Sequence, residues 1–420
     1  MDEKLIIKGY EYAREVYAER GIDVEAALTT AGSIPISMNC WQGDDVMGFE
    51  GGDDAGASGG IATTGNYPGR ARTADELRAD ADLAMSMIPG PKKFNLHASY
   101  AELHGRKVER SEYTAELFKG WIDWARERNL GLDFNPTYFS HPMVKDGFTL
   151  SSAVPAVREY WIEHGKRCRE IGAEFYRALG KECVINYWMP DGYKDNPADM
   201  AGPRARMVES LDAIFAGGAI AGVKEAVESK VFGLGVESYT VGSHELMLGY
   251  AITRGKLYCL DAGHFHPTEV ISNKISSIMQ FMPEALLHVS RPVRWDSDHV
   301  VTLDDELIAI MQQVVRNGYT ERVKIALDFF DASINRLAAW IIGTRNARKA
   351  LLKASLENTA QLKQLELEGD LTGRLALMEE DKTLPFGAVW DYYCLREGVP
   401  AGDRWLDTVR DYEKRIMLAR

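Results

Sequence analysis

Cysteine is scarce in this sequence, and its spacing is irregular. The chain has five cysteines, an odd number, and no CxxC pair occurs. Disulfide frameworks and zinc ribbons need paired or closely spaced cysteines, so the sequence argues against both. Cys259 lies inside an apolar run, where a thiol behaves as a small core residue. The five cysteines are Cys40, Cys168, Cys183, Cys259 and Cys394.

Long hydrophobic runs are also missing. No apolar stretch approaches the roughly 20 residues that a membrane-spanning helix needs. The chain begins with the charged segment MDEK, and no apolar signal region with a cleavage site follows it. We therefore expect a cytoplasmic protein without contact to a membrane.

Positive charge is in deficit. The 49 Lys and Arg residues are outnumbered by 62 Asp and Glu residues, which gives a net charge of -13. Nucleic-acid-binding proteins usually carry a basic surface, so we expect no nucleic-acid partner. A divalent cation remains compatible with this charge. Serine-nucleophile motifs, P-loops and a complete GxGxxG motif are not evident, since Gly233 and Gly235 lack the third glycine.

What the sequence does contain is a series of eight short apolar runs. Several are nearly continuous, as in strands covered on both faces, and helical patterns lie between them. Strands that alternate with helices predict βα units and a parallel sheet. Eight such units predict an α/β fold, a closed (β/α)₈ TIM barrel, whose active site lies at the C-terminal strand ends. The runs cover residues 34–41, 94–100, 130–135, 183–189, 227–234, 257–261, 286–291 and 323–330.

A doubly wound sheet is the structural alternative, but it gives no reason for potential ligands at so many successive strand ends. A chain of 420 residues with 45% hydrophobic residues can fold as one large barrel domain. We assign residues 1–337 to this domain. Within it, Thr302 and Asp305 form a helix N-cap signature, and Gly318 provides the stop.

Two segments lie outside the strand–helix repeat. Residues 42–72 are acidic and rich in glycine, and they form either a surface loop or a lid or interface loop. Residues 338–420 have only helical patterns, predicted at 347–367, 371–384 and 403–419. We expect this C-terminal helical extension to pack on a partner subunit, and a solvated helical tail is the alternative.

The last four predicted strands end in or near carboxylates and imidazoles. Strand ends of a barrel meet on one face, so side chains distant in sequence can share a site there. A solvated loop, a structural histidine or a buried ion pair explains any one of these residues but not their joint placement. Ligands of this kind without a thiolate favour Mn²⁺, Mg²⁺ or Co²⁺ over a soft ion. The candidate ligands are Glu228, Asp261, His264, His288, Asp296, Asp298 and Asp328.

Asp296 and Asp298 form a D-x-D motif. On an extended chain, residues two apart point the same way. Adjacent carboxylates repel unless a cation neutralises them, and a hard divalent ion accepts both. A solvated D-x-D loop is the alternative for this motif alone.

Two further pairs lie on a predicted strand or directly at its end. Asp261 and His264, with Gly263 between them to allow a close turn, can reach one site or two adjacent sites. Glu228 and Lys230 share one face of a predicted strand. They form either an ion pair in the barrel core or a metal ligand beside a cation for a substrate oxygen.

Three residues on other strands are predicted to end at the same face. Trp188 and Trp41 can wall the apolar face of a sugar, with core packing as the alternative for each. We assign His97 to sugar binding or ring opening.

Four longer runs of the chain are 39–45 (NCWQGDD), 260–269 (LDAGHFHPTE), 290–299 (SRPVRWDSDH) and 327–336 (LDFFDASINR). They closely resemble the L-rhamnose isomerase family of bacterial rhamnose catabolism, and the resemblance extends from the first strand through the C-terminal helices. It implies a barrel akin to xylose isomerase, a homotetramer and two divalent ions per subunit. Mn²⁺ is preferred, with Mg²⁺, Co²⁺ or Zn²⁺ in one site. The matching positions imply that Glu228, Asp261, His288 and Asp328 hold the tighter ion, and that His264, Asp296 and Asp298 hold the catalytic ion.

The resulting hypothesis is isomerisation of L-rhamnose to L-rhamnulose by a metal-assisted 1,2-hydride shift. Lys230 is predicted to stabilise negative charge at the carbonyl end, and Asp328 to move the hydroxyl proton. An enediol route with a carboxylate base stays open. Two-metal hydrolysis is a rival with the same ligand types, weakened by the acidic charge. A sugar-binding barrel with a structural ion leaves the second ligand set unexplained.

Overall fold

A computed structural model of the chain describes residues 2–50, 63–232 and 238–420. None of the helices in these ranges is long and apolar enough to cross a membrane. The strands of this part of the chain are β1 Ile36–Asn39, β2 Lys92–His97, β3 Gly131–Asn135, β4 Cys183–Trp188, β5 Gly192–Tyr193, β6 Val223–Glu228, β7 Tyr239–Thr240, β8 Leu257–Asp261, β9 Ala285–Val289 and β10 Val323–Leu327.

Helices surround these strands. Short 3₁₀ turns cover Cys40–Gln42, Ala98–Tyr100, Arg110–Glu112, Ala115–Phe118 and Met417–Ala419. The α-helices are α1 Glu3–Glu19, α2 Val24–Ser33, α3 Ala74–Ser86, α4 Lys119–Glu127, α5 Pro155–Leu179, α6 Ala201–Phe215, α7 His244–Arg254, α8 Ser272–Ile278, α9 Asp305–Arg316, α10 Arg336–Ser355, α11 Thr359–Glu368, α12 Leu371–Asp381, α13 Phe386–Arg396 and α14 Trp405–Arg415.

Eight parallel strands of the described chain close into a barrel. Their order around the barrel is β1, β2, β3, β4, β6, β8, β9 and β10, and β10 pairs with β1. Strands β5 and β7 form a separate antiparallel pair. The predicted (β/α)₈ barrel and the helices after it are therefore confirmed.

Successive side chains of each strand point alternately into the barrel interior and toward the surrounding helices. On β8, Leu257, Cys259 and Asp261 face the interior, and they rise from its apolar middle to its polar C-terminal end. The middle layer is a small apolar cluster apart from the main core. The cluster consists of Val184, Ala226, Leu257, Cys259, Leu286 and Ala326.

One predicted strand was placed too late in the sequence. The prediction put it at 227–234, whereas β6 runs from Val223 to Glu228, and 233–234 lie outside the described residues. Lys224 and Glu225 are charged, so the first half of β6 is not an apolar run. Both are neutralised in the fold, Lys224 by Glu284 and Glu225 by Arg169 and Lys256. Glu228 therefore ends its strand instead of beginning it.

The predicted N-cap of the helix after residue 302 was also displaced. Asp304 caps α9, because its carboxylate accepts a hydrogen bond from the Leu307 amide at 3.0 Å. Thr302 donates to Asp304 at 3.1 Å and so supports the cap from outside the helix. The stop is close to its predicted place, since α9 ends at Arg316 and Gly318 has a φ of 67°.

The C-terminal helices divide differently from the prediction. Residues 347–367 are not one helix, because α10 ends at Ser355 and the side chain of Asn358 caps α11. The domain boundary predicted at residue 338 falls in the first turn of α10, which packs on α9, α2 and β1. Near the other terminus, α1 packs on α13. Of the predicted loop at 42–72, residues 51–62 lie outside the described part.

Candidate metal centre

Two groups of candidate ligands converge at the C-terminal end of the barrel. Within each group, one ligand atom per residue lies within 4.8 Å of the others. Asp261 belongs to both groups, so the groups are adjacent. The first consists of Glu228, Asp261, His288 and Asp328, and the second of Asp261, His264 and Asp296.

The strands place the first group directly. Glu228 and Asp261 are the last residues of β6 and β8, and Asp261 is paired in register with His288 of β9. Asp328 follows β10, where its amide donates to the Val289 carbonyl at 3.0 Å. These four side chains therefore meet because they lie at or near the C-terminal ends of neighbouring strands, as the sequence predicts.

The second group depends on the loop between β9 and α9. Asp296 approaches the backbone at Gly263 so closely that a Cβ there would lie 2.1 Å from its Oδ1. Asp298 lines the same cavity but has a φ of 44°. The assumption that Asp296 and Asp298 point the same way because the chain is extended is wrong. A turn at Asp298 brings this second carboxylate to the cavity.

Neighbouring side chains orient the carboxylates. Glu228 accepts a hydrogen bond from the Asn186 amide, and its Oε1 lies 2.7 Å from His264 Nδ1. Trp41 Nε1 donates to Asp328 Oδ1 at 3.0 Å. Trp41 thus holds a candidate ligand, a contact that the sequence did not predict.

The electrostatics of the site call for added positive charge. The site contains five carboxylates and the Lys230 ammonium, so its net charge is minus four when both imidazoles are neutral. Two divalent cations would neutralise this charge. Burial and neighbouring carboxylates raise the pKa of Asp298 well above its usual value. Burial alone would lower the pKa of His264, but Asp261 and other carboxylates raise it well above the ordinary value. Without a cation, protons therefore take its place.

Several buried polar atoms of the described site lack a hydrogen-bond partner, which is a second indication of a bound cation. Asp261 Oδ2, Asp296 Oδ1 and both ring nitrogens of His288 are buried without a hydrogen-bond partner in the described chain. Buried polar atoms normally have partners, and unexplained exceptions often mark a missing ion. The orphaned oxygen and nitrogen atoms are ligands that divalent cations accept. The residues therefore fit a metal centre.

One potential ligand was not predicted. The Cys259 thiol lies close to ligand atoms of Glu228 and His288. Burial raises the pKa of this thiol well above its ordinary value, so it stays protonated and binds a metal weakly. The ligand set consequently keeps its oxygen and nitrogen character.

Lys230 lies at the second group of ligands. Its ammonium forms an ion pair with Asp296, lies 3.1 Å from His264 Nε2 and stands 5.2 Å above the Trp188 ring. Burial alone would lower the pKa of Lys230, but Asp296 and Asp298 raise it above its usual value. The side chain is therefore a fixed cation at the cavity wall.

Aromatic rings enclose the cavity beside the ligands. The cavity has a volume of about 480 Å³, which suits a small molecule. Trp188 stacks near His264 with centroids 6.2 Å apart, and its edge meets Phe139. Trp41 meets His97 edge-on at 4.6 Å. The structure thus brings His97, Trp188 and Trp41 to one cavity with the candidate ligands.

Several cavity residues were missed from the sequence. Asn186 could have been found, because it lies two residues before Trp188 on β4 and faces the same side. The others follow strand ends in irregular loops, where no periodic signal exists. They include Val46, Thr64, Phe139, Phe232, Trp295 and Phe330.

These features define a class of protein. A (β/α)₈ barrel whose C-terminal face holds two adjoining carboxylate–imidazole groups beside an aromatic-walled cavity is an enzyme scaffold with a candidate divalent-metal centre. Comparison with known proteins identifies the family within this class.

A sequence model of the family described as "RhaA: L-rhamnose isomerase (RhaA)" matches residues 4–420, so the chain belongs to the L-rhamnose isomerase family. A protein named L-rhamnose isomerase from Rhodopirellula baltica is 60% identical over 99% of this chain and 97% of its own length. One from Mannheimia succiniciproducens is 59% identical over 98% and 99%. One from Yersinia pseudotuberculosis is 56% identical over 99% of each chain. The family resemblance predicted from four sequence runs is confirmed.

Proposed function

We propose that this protein is an aldose–ketose isomerase that interconverts L-rhamnose and L-rhamnulose. The observation that carries the proposal is the pair of adjoining ligand groups, joined by Asp261, that open onto one aromatic-walled cavity. The names of relatives at 55–60% identity supply the substrate. No nicotinamide is needed, because the transferred hydrogen stays on the sugar.

Two divalent ions, preferably Mn²⁺, complete the proposed site. Glu228, Asp261, His288 and Asp328 would hold one ion, and His264, Asp296 and Asp298 the other, with Mg²⁺, Co²⁺ or Zn²⁺ acceptable in one site. Bound ions would polarise the sugar carbonyl and lower the pKa of the neighbouring hydroxyl. The uncompensated charge and the orphaned atoms of the described residues support this assignment.

Lys230 is the proposed stabiliser of negative charge at the carbonyl end of the substrate. Its side chain is 11% exposed and held by Asp296, so its position is fixed before the sugar binds. A preorganised cation in a water-poor site stabilises developing charge without reorganisation. The carbonyl oxygen would accept a hydrogen bond from the ammonium.

Asp328 is the proposed carrier of the hydroxyl proton. Burial alone would raise its pKa, but His288 lowers the pKa below the ordinary value and keeps the carboxylate ionised. Oδ1 is held by Trp41 at 3.0 Å, and Oδ2 lies 3.4 Å from His288 Nδ1. An ionised, oriented carboxylate can accept a proton from the sugar and return it.

The surroundings of the cavity favour a hydride shift over an enediol. Trp188, Trp41 and Phe139 line the cavity, and their apolar rings would keep water away from the carbon atoms of a bound sugar. Burial lowers the pKa of His97 to about 3, so this imidazole is neutral and a weak base. The hydrogen of C2 can then move directly to C1 instead of passing through a protein group.

The first test follows the hydrogen atom. L-rhamnose labelled with deuterium at C2 is expected to give L-rhamnulose that retains the label at C1, because a hydride shift does not exchange with water. Ketose formation is measured colorimetrically and label position by NMR after a single turnover. Extensive loss of deuterium to solvent would show an enediol route, and absence of any ketose would contradict the proposed activity.

We also propose that the protein is a cytoplasmic homotetramer with the C-terminal helices in its interfaces. Three large apolar side chains of α11 and α12 are solvent-exposed in the single chain, namely Leu367, Leu371 and Leu375, and the two helices pack on each other. Exposed apolar side chains that lie on adjacent helices often mark a subunit interface.

Sedimentation equilibrium at micromolar concentration is expected to give four times the mass of 46.9 kDa. Leu371→Lys is expected to weaken the assembly, because a charge would then be buried in the interface. Lys166→Glu, on the exposed face of α5 and outside the C-terminal helices, is the control. A monomeric wild-type protein would refute the assembly and leave the chemistry untouched.

A further inference from the structure

His97 is held in one orientation by three neighbours. Trp41 and Phe139 contact its ring edge-on, with centroids 4.6 and 5.5 Å away. Its Nδ1 lies 2.9 Å from the hydroxyl of Thr137, a residue that is 3% exposed. The ring lines the cavity, so its tautomer decides whether the sugar meets a hydrogen-bond donor or an acceptor.

The Thr137 hydroxyl has three contacts but one proton. It accepts from the Ser99 amide at 3.4 Å, reaches the Asn135 carbonyl at 3.4 Å and meets His97 Nδ1 at 2.9 Å. A carbonyl cannot donate, so the contact with Asn135 is a hydrogen bond only when the hydroxyl proton points toward that carbonyl. The hydroxyl then has two lone pairs left, and all three contacts are satisfied only when His97 Nδ1 carries a proton.

The backbone of Thr137, which carries this hydroxyl, is strained. Thr137 has a φ of 58°, a left-handed conformation that is unfavourable for a β-branched residue. Such conformations persist where surrounding structure fixes them, often at functional sites.

The fixing group is Arg110. Its Nη1 donates to the carbonyls of Thr137 at 2.5 Å and of Phe139 at 2.8 Å. The guanidinium is 2% exposed and forms an ion pair with Glu50 at 2.7 Å, and Tyr113 donates to Glu50 at 2.7 Å. A buried ion pair with further hydrogen bonds is rigid, and it holds the loop that presents both Thr137 and Phe139 to His97.

We propose that Thr137 is a positioning residue that fixes His97 as the Nδ1–H tautomer, so that the unprotonated Nε2 accepts a hydrogen bond from a sugar hydroxyl. The kinetic consequence of this role rests on the proposed isomerase function. Burial supports it, since a pKa of about 3 keeps the ring neutral and leaves Nε2 a lone pair. The tautomer itself does not depend on the identity of the substrate.

The kinetic test uses matched variants. Thr137→Val keeps the β-branch and hence the backbone strain but removes the hydroxyl, and it is expected to lower kcat/KM for L-rhamnose about tenfold. Thr137→Ser keeps the hydroxyl and is expected to stay within about twofold of wild type. Thermal unfolding and metal content of each variant show whether the fold is intact.

A double-mutant cycle separates positioning from general structure. In a His97→Asn background, Thr137→Val is expected to cause little further loss, because its effect passes through His97. An additive loss, wild-type kinetics of Thr137→Val, or an equal loss in Thr137→Ser would overturn the proposal.

A spectroscopic test needs neither substrate nor turnover. In protein labelled with ¹⁵N at histidine, with His97 assigned by its loss in His97→Asn, Nδ1 is expected to be the protonated nitrogen and Nε2 the unprotonated one. Thr137→Val is expected to change this pattern. The opposite tautomer in the wild-type protein would overturn the proposal even if the variant failed to fold. A protein inactive on L-rhamnose with the expected spectrum would refute the isomerase function alone.

Discussion

His264→Asn is expected to lower kcat by about 100- to 1000-fold while the barrel stays folded. His264 is 5% exposed and lies at the second group of ligands, between Glu228 Oε1 and Asp296 Oδ2. Asparagine keeps a polar side chain but removes the imidazole nitrogens, so the proposed second ion would lose a ligand. Asp298→Asn is expected to act in the same direction, because it removes a charge from the same site.

His266→Asn is the matched control for this prediction. His266 is two residues further along the same loop, but it is exposed and contacts Thr268 instead of the cavity. Its replacement is expected to leave turnover within about twofold of wild type, as for most exposed positions. Steady-state kinetics and elemental analysis check both variants. Wild-type turnover and metal content in His264→Asn would show that the site is misassigned.

Removal of metal is expected to have the second large effect. Exhaustive treatment with EDTA should abolish isomerase activity, and Mn²⁺ should restore it. The physical reason is the net charge of the site, whose carboxylates repel one another and take up protons in the absence of a cation. Comparison of Mn²⁺, Mg²⁺, Co²⁺ and Zn²⁺ in the restored enzyme ranks the ions that the site accepts.

Stability should change with metal content as well. An ion that binds only the folded chain at about 100 times its Kd adds about 2.7 kcal/mol to the free energy of unfolding. The depleted protein is therefore expected to unfold at lower temperature, as measured by calorimetry. Ca²⁺, which prefers more oxygen ligands, is the control ion for this shift. Full activity in protein shown by elemental analysis to contain no metal would contradict the metal mechanism.

The barrel and much of its polar end follow from the pattern of apolar and polar residues along the chain. Strands β8 and β4 could be predicted closely, because continuous apolar runs are characteristic of strands covered on both faces. Their C-terminal ends must meet on one face, so Asp261, His288 and Asp328 could be placed together without coordinates. The charged start of β6 shows the limit, since Lys224 and Glu225 are neutralised by residues distant in sequence.

The contacts that loops provide could not be predicted, because they form only in the folded chain. Asp298 reaches the cavity through a turn, Gly263 leaves room for Asp296, and Trp41 holds Asp328, and none of these has a periodic signal. The conformation of a loop depends on side chains from elsewhere in the chain. Arg110, for example, donates to the carbonyl of the strained Thr137. Local propensity fixed which segments became strands, whereas the loops took their conformations from contacts that exist only once the barrel is closed.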